Sequence, residues 1–393
     1  MNVDTLIKNG RVIDPARNID QVMDIAIAGG RVVEIQGDVY AATVIDATGK
    51  LVIPGMVDHH AHFNPRGNTL APDATCATFP NGITTALDQG TAGGANFLVY
   101  LDAMRAMPLK FKMNLSFGDV GLSGFGTMDG VYPTEIYNWE TWEGKLPLWR
   151  KAFDLYGDKL LGMKMRICAK ALVVDGIQQG TKPLRKALEI CDQLDKPLTV
   201  HICEAPEPLA EVAGVMRKGD VMTHCFCGDD GNTILDGNGV VEDKVHAARE
   251  RGVWFDTAED VGNTDIAVAE RAVKQGFWPD MISTDSTIYT IYRTNRVLLP
   301  HLMSKYFDWG MPLNEVIRCV TATPAKVLDM EGEVGTLAPG AFGDAVIVDL
   351  REQKTTFTDK FGHRLHGEHL FAPVCTVANG NIMWRSIDFL PEE

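Results

Sequence analysis

The feature that most constrains this chain is an alternation between residues 54 and 325, where short apolar β-type runs recur with long helical patterns between them. Eight such runs stand out, at 56–60, 83–88, 113–118, 161–166, 198–201, 221–224, 253–256 and 281–285. Runs with this apolar texture suit a parallel sheet covered by crossover helices. Eight is the number that closes a barrel, so the expectation is an α/β fold, a (β/α)8 TIM barrel. Among the intervening helices the clearest lies at 183–194. Pro183 suits its first turn, and Leu184, Ala187, Leu188, Cys191 and Leu194 form one apolar stripe, which reads as packing.

The two ends of the chain have a different texture. Residues 6–13, 23–28, 31–35 and 43–45 are short β-rich runs broken by glycine turns, as in a small antiparallel β domain. After residue 325 the β-texture returns at 343–350 and 374–384, with Asn379-Gly380 as a hairpin-type turn. The ends are therefore expected to meet in one β-sandwich domain, built from 1–53 and 331–393, beside a barrel at 54–330.

A chain of 393 residues with 45% hydrophobic content can bury a large core and still carry a satellite domain. Its net charge of -15 argues against a nucleic-acid or anionic-membrane partner, either of which calls for a basic face. A small-molecule substrate is expected instead, and association into a homo-oligomer is open to a large acidic barrel. The eight cysteines are scattered, with no Cys-x-x-Cys pair, which fits a reducing cytoplasm. The first thirteen residues read as a strand with Asp4, Lys8 and Arg11 interleaved, not as a signal peptide. No stretch approaches the roughly 20 apolar residues that span a bilayer.

Chemistry concentrates at the ends of the barrel runs. Strand alternation puts Asp58, His60 and His62 on one side and turns His59 and Ala61 to the other. Two imidazoles so placed can grip one metal, although His-x-His alone is a modest signal. His201, His224 and Asp285 each close a run, and in a closed parallel barrel all strand C-termini emerge on the face where active sites form. Lys164, with Arg166, lies opposite two methionines in the run 161–166. A lysine pointing into a barrel is explained either by a salt bridge to an inward acid or by carboxylation with carbon dioxide. Carboxylation turns it into an anionic oxygen ligand bridging two metals, which an unmodified ammonium would repel.

The stretch Pro54-Gly55-Met56-Val57-Asp58-His59-His60-Ala61-His62 resembles the opening motif of the amidohydrolase superfamily, and residues 335–345 resemble its C-terminal return to the β domain. The resemblance implies a hydrolase with two divalent metal ions. His60 and His62 would bind the more buried ion, His201 and His224 the more exposed one, and Lys164 as N6-carboxylysine would bridge them. Asp285 would bind the buried ion and act as general base and acid. Zinc is the default by ligand type, with manganese, iron and nickel as alternatives. Residues 201–206, 223–226 and 283–285 look most like a dihydroorotase-related subgroup that includes hydrolases of acetylated 2-hydroxy acids such as acetyl-mandelate. Where that subgroup suggests a glycine-histidine-rich stretch after the seventh strand, this chain has Asp256-Thr257-Ala258-Glu259-Asp260.

The expected reaction is hydrolysis of an amide or ester bond in a small carboxylate-bearing molecule. The alternatives are a cyclic amide hydrolase of the dihydroorotase or hydantoinase kind, a deaminase, or a non-catalytic scaffold. Arg166 is the candidate for a substrate carboxylate, through a forked pair of hydrogen bonds, or else it neutralises Asp58 or Glu204. His363, His366 and His369, three apart, read as a solvated loop before a metal site, because no acid partner is evident nearby in sequence. Cys225 and Cys227 read as core or pocket-lining thiols.

Overall fold

The computed structural model describes residues 1–63, 70–122, 138–169, 172–174, 177–260, 262–292 and 297–389. In chain order the strands begin with β1 (Asn2–Asp14), β2 (Ile19–Ala28), β3 (Arg31–Val33), β4 (Tyr40–Asp46) and β5 (Leu51–Pro54). The barrel strands follow as β6 (Met56–Ala61), β7 (Ile83–Gly93), β8 (Lys110–Ser116) and β9 (Leu160–Arg166). A two-stranded excursion, β10 (Val173–Val174) with β11 (Ile177–Gln178), precedes β12 (Leu198–His201), β13 (Val221–Thr223) and β14 (Trp254–Asp256). The chain ends in β15 (Ala345–Thr358), β16 (Arg364–Ala378) and β17 (Asn381–Arg385).

Seven strands form one parallel sheet in the order β6-β7-β8-β9-β12-β13-β14. All six residues of β6 and all eleven of β7 are buried, as both-face burial between barrel core and outer helices requires. The eighth run, expected as a strand, sits in the gap without a ladder. It bridges both neighbours singly and in parallel, through Asp256 with Met281 and Ala61 with Ser286. Its carbonyls still accept backbone amides from both neighbours: Met281 from Thr257 at 3.1 Å, Ser283 from Glu259 at 3.0 Å and Ser286 from His62 at 3.1 Å. Two of its own amides turn to side chains: Thr284 donates to Asp58 Oδ1 at 3.1 Å and Ser283 to Thr257 Oγ1 at 3.1 Å. Such side-chain bonds compete with a regular ladder, and here they join the backbone bonds in closing the ring.

The helix Lys182–Leu194 carries the expected stripe, with Leu184, Ala187, Leu188, Cys191 and Leu194 all buried. Burying a leucine fully contributes about 1.5–3 kcal/mol, so this one face anchors the helix to the barrel.

The chain ends meet as expected, in a single sheet of eight strands that hydrogen bonds join throughout. The purely antiparallel reading of the N-terminal part needs correction. β1 runs antiparallel to β2 but parallel to β4 and β5, because its thirteen residues are long enough to accept two successive returning strands on one edge. β5 pairs antiparallel with β15, which joins the two ends of the chain. The sheet encloses its own core, with Ile7, Val12, Ile25, Ile27, Val52, Ile347, Val374 and Val377. Asn379 and Gly380 both have positive φ, 49° and 78°, as a primed hairpin turn between β16 and β17 demands. Only Gly55 separates β5 from β6, and Lys110 at the head of β8 bonds Asp344 at 2.8 Å, so the sheet is clamped to the base of the barrel.

The reading of the histidines at 363–369 as a loop also needs correction. His366 and His369 lie on β16, and His363 just precedes it. His363 has an acid partner four residues away and another far off in sequence, and His369 has a distant one. His363 Nδ1 lies 3.0 Å from Asp359 and 3.2 Å from Asp265, while His369 Nδ1 lies 2.6 Å from Asp308. Among the described residues, no helix is long and apolar enough to cross a membrane.

Candidate metal centre

The C-terminal ends of β6, β9, β12 and β13 and the eighth segment bring His60, His62, Lys164, His201, His224 and Asp285 together, all buried. Asp285 Oδ1 lies 3.0 Å from His62 Nε2 and 3.4 Å from His60 Nε2, and its Oδ2 lies 3.9 Å from His224 Nε2. Lys164 Nζ is 3.3 Å from His60 Nε2. The His201 and His224 rings meet at 4.3 Å between centroids, and His60 and His224 at 5.3 Å. His60, His62 and Asp285 thus form one tight group, with His201 and His224 as a second pair beside it.

Each orienting contact uses the far ring nitrogen. His60 Nδ1 pairs with Thr223 Oγ1 at 2.9 Å, His62 Nδ1 with Thr91 Oγ1 at 2.9 Å, and His224 Nδ1 with the Ala258 carbonyl at 2.7 Å. A carbonyl only accepts, so His224 Nδ1 carries the proton and its Nε2 presents a lone pair to the cluster. That Nε2 is buried with no hydrogen-bond partner, and the buried Asp285 Oδ1 faces the Nε2 atoms of His62 and His60. Burial, with Lys164 and neighbouring histidines adding repulsion, pushes the His60 pKa well below its ordinary value; burial and Arg166 do the same for His201. His224 is lowered to about 4, chiefly by burial. Burial alone would raise Asp285, but the hydrogen bond from His62 and the charges of His62, His224 and Lys164 outweigh it and hold the carboxyl at about 2. Buried imidazoles around a carboxylate, with the His224 Nε2 lone pair facing inward, are a donor set that fits a divalent cation.

The backbone is shaped for the same end. His224, Ala258 and Asp285 have φ of 64°, 41° and 51°, a region that non-glycine residues adopt at a cost. Gly90, at φ 74°, makes room for the lysine: a Cβ there would stand 2.8 Å from Lys164 Cγ. Arg166 is half-buried and directly in register with His201 across the β9–β12 pair, beside the cluster.

Sequence reasoning missed the orienting set. Thr91, Thr223 and the Ala258 carbonyl carry no motif of their own, and Ala258 lies in the segment that departs from the resemblance. His59 was expected to turn away from the site. Instead the β6–β7 register slips between Asp58 and Ala61, and His59 Nδ1 lies 3.3 Å from Asp256 Oδ2, the oxygen that also accepts from Thr223 at 3.2 Å. Asp58 was grouped with the two ligand histidines; its carboxylate is engaged by Thr284.

A parallel α/β barrel with histidines and one aspartate converging at its C-terminal face is a scaffold that offers the donor set of a divalent metal at the usual position of an active site. The profile of the Amidohydrolase family matches residues 51–380, and the chain belongs to that family. It is 28% identical over 388 residues to a deacetylase of Enterococcus faecalis, covering 97% of this chain and 99% of that protein. Among solved structures, an adenine deaminase superposes with a TM-score of 0.83 at 27% identity, covering 98% of this chain and all of that one. A dihydroorotase superposes with a TM-score of 0.80 at 24% identity over 99% of both chains, a likeness of fold. The chain is a hydrolase acting on C–N bonds.

Proposed function

We propose that this protein is a binuclear-metal deacylase that removes the acyl group, as in an acetyl amide or ester, from a small carboxylate-bearing molecule. The observation that carries the reading is the buried His224 Nε2, without a hydrogen-bond partner, turned into the cluster in which Asp285 Oδ1 lies 3.0 Å from His62 Nε2 and 3.4 Å from His60 Nε2. His60, His62 and Asp285 would hold one ion, His201 and His224 the other, with carboxylated Lys164 between them. Bound divalent ions of this kind, zinc by ligand type, lower the pKa of water to about 7 and polarise a carbonyl.

The chain's own groups supply the rest. Asp285, held ionised, takes the proton of the attacking water and returns it to the leaving nitrogen or oxygen. Asn263 donates to Asp285 Oδ2 at 3.0 Å and fixes the direction of that carboxylate. Arg166, next to His201, is placed to bind the substrate carboxylate as a fork. The extended similarity to a deacetylase supports the acyl-group reading over a cyclic amide.

The test is to assay metal-loaded protein against N- and O-acetylated carboxylic acids and against cyclic ureides. Turnover of the acetylated acids is expected, and turnover of cyclic ureides alone overturns the substrate class. Asp285→Asn should abolish turnover while keeping the thermal midpoint. Full activity in that variant overturns the role of Asp285.

A further inference from the structure

A second group of metal-ligating side chains lies outside the histidine cluster. Cys203 follows β12, and Cys227 and Asp229 lie in the loop after β13; all three are buried, and their Sγ, Sγ and carboxylate oxygen atoms lie within 4.8 Å of one another. We propose that Cys203, Cys227 and Asp229 form a separate thiolate-type site for a soft divalent cation such as zinc or cadmium.

The geometry is close to what such an ion needs. With Zn–S bonds of about 2.3 Å, tetrahedral sulfurs stand about 3.8 Å apart, so the group needs to contract by about 1 Å at most. Cys227 Sγ already lies 3.2 Å from Asp229 Oδ2. The two loops are lashed together by Asn232, whose amide donates to the carbonyls of Ala205 at 3.1 Å and Glu207 at 2.7 Å. Three protein ligands leave one position for water.

Without an ion the groups have other partners. Cys203 Sγ is 3.8 Å from the Asn263 carbonyl, and Lys360 Nζ forms an ion pair with Asp229 Oδ1. Lys360 is 35% exposed along its side chain, so its ammonium can swing to water when a cation takes its place. Binding releases the two thiol protons as the sulfurs become ligands, and no oxidant is involved. The site shares no ligand with the histidine cluster, so it stands or falls apart from the proposed hydrolysis.

The experiment is a cadmium titration of the full chain, read by sulfur-to-cadmium charge-transfer absorption in the ultraviolet. With the histidine cluster first saturated with zinc, one further equivalent of cadmium is expected to develop the band in the wild-type chain and in Cys76→Ser and Cys225→Ser. Cys203→Ser and Cys227→Ser should abolish it, with folding checked by thermal melting. Lys360→Met, which removes the competing ammonium, should tighten cadmium binding by about two- to fivefold, the size expected for a partly exposed ion pair. The proposal is overturned by absence of the band in the wild-type chain, by its survival in both Cys203→Ser and Cys227→Ser, or by unchanged affinity in Lys360→Met.

Discussion

Asp58 grips Thr284 with both carboxylate oxygens: Oδ2 accepts the hydroxyl at 2.6 Å and Oδ1 accepts the amide at 3.1 Å. Across 226 residues, this contact adds to the few backbone bonds that hold the eighth barrel segment between its neighbours. Burial pushes the Asp58 pKa up to about 7, against the Thr284 bonds that pull it down, so the bonds offset part of a desolvation cost. Thr284→Val removes one partner from a buried acceptor and should lower unfolding free energy by about 1–3 kcal/mol. In a double-mutant cycle with Asp58→Ala, the two losses should fall short of additivity by at least ~0.5 kcal/mol, measured by urea unfolding. Simple additivity would mean that the hook does not help to close the barrel.

Gly90 gives Lys164 its space. With φ at 74° and a hypothetical Cβ 2.8 Å from Lys164 Cγ and 2.9 Å from its Cβ, Gly90→Ala must displace the lysine or strain the β7 backbone. A shift of about 1 Å in a metal-bridging group can cost on the order of a hundredfold in turnover. Gly90→Ala is therefore expected to lose about that much kcat and to bind less metal per chain, as read by elemental analysis of dialysed protein. Unchanged metal content and kcat would dissociate Lys164 from the site.

Much of this was legible in the sequence because it depends on period and on position along a strand. The eight barrel runs, the stripe of the helix Lys182–Leu194 and the convergence of His60, His62, Lys164, His201, His224 and Asp285 follow from local pattern plus the rule that parallel strands end on one face. What was illegible depends on register and on pairs far apart in sequence. The β6–β7 register slips twice, and at the second slip, between Asp58 and Ala61, His59 faces Asp256; alternation cannot foresee a slip. Thr223 orients His60 from 163 residues away, and the Ala258 carbonyl orients His224 through a backbone atom that every residue has. The parallel β1–β4 and β1–β5 pairs were missed for a similar reason, since β-texture does not carry strand direction.

Glu259 and Lys305 form an ion pair whose side chains are only 4% and 3% exposed. Neither group belongs to the histidine cluster, so the pair serves the wall that joins the loop after β14 to the helix Leu299–Asp308. Breaking a buried pair costs more than never having it, because the survivor is left charged and dry. Glu259→Gln is expected to destabilise by about 3–5 kcal/mol, while Glu259→Leu with Lys305→Met should recover most of that loss. Chemical unfolding distinguishes the cases: a double variant as unstable as the single one would show that shape, not charge, fixes this wall.

His363 provides a pH dependence that is separate from the metal cluster. Its Nδ1 stands 3.0 Å from Asp359 and 3.2 Å from Asp265. Asp265 caps the helix Ile266–Lys274, and Asp359 accepts the Ile266 amide at 2.9 Å. The hydrogen bond to Asp359 raises the His363 pKa above its ordinary value, assisted by the charges of Asp359 and Asp265 and opposed by slight burial. A histidine whose folded pKa is raised contributes stability that is fully present below its unfolded pKa of about 6.5 and is lost as pH climbs through the folded value. Because the side chain is 46% exposed, screening limits the contribution to about 0.5 kcal/mol or less. The difference in stability between the wild-type chain and His363→Gln should therefore be greatest at about pH 5.5 and fade by about pH 8.5, when both are unfolded in urea. A difference that grows with pH would mean that the imidazole is held neutral between the two carboxylates, and the charge bridge would have to be abandoned.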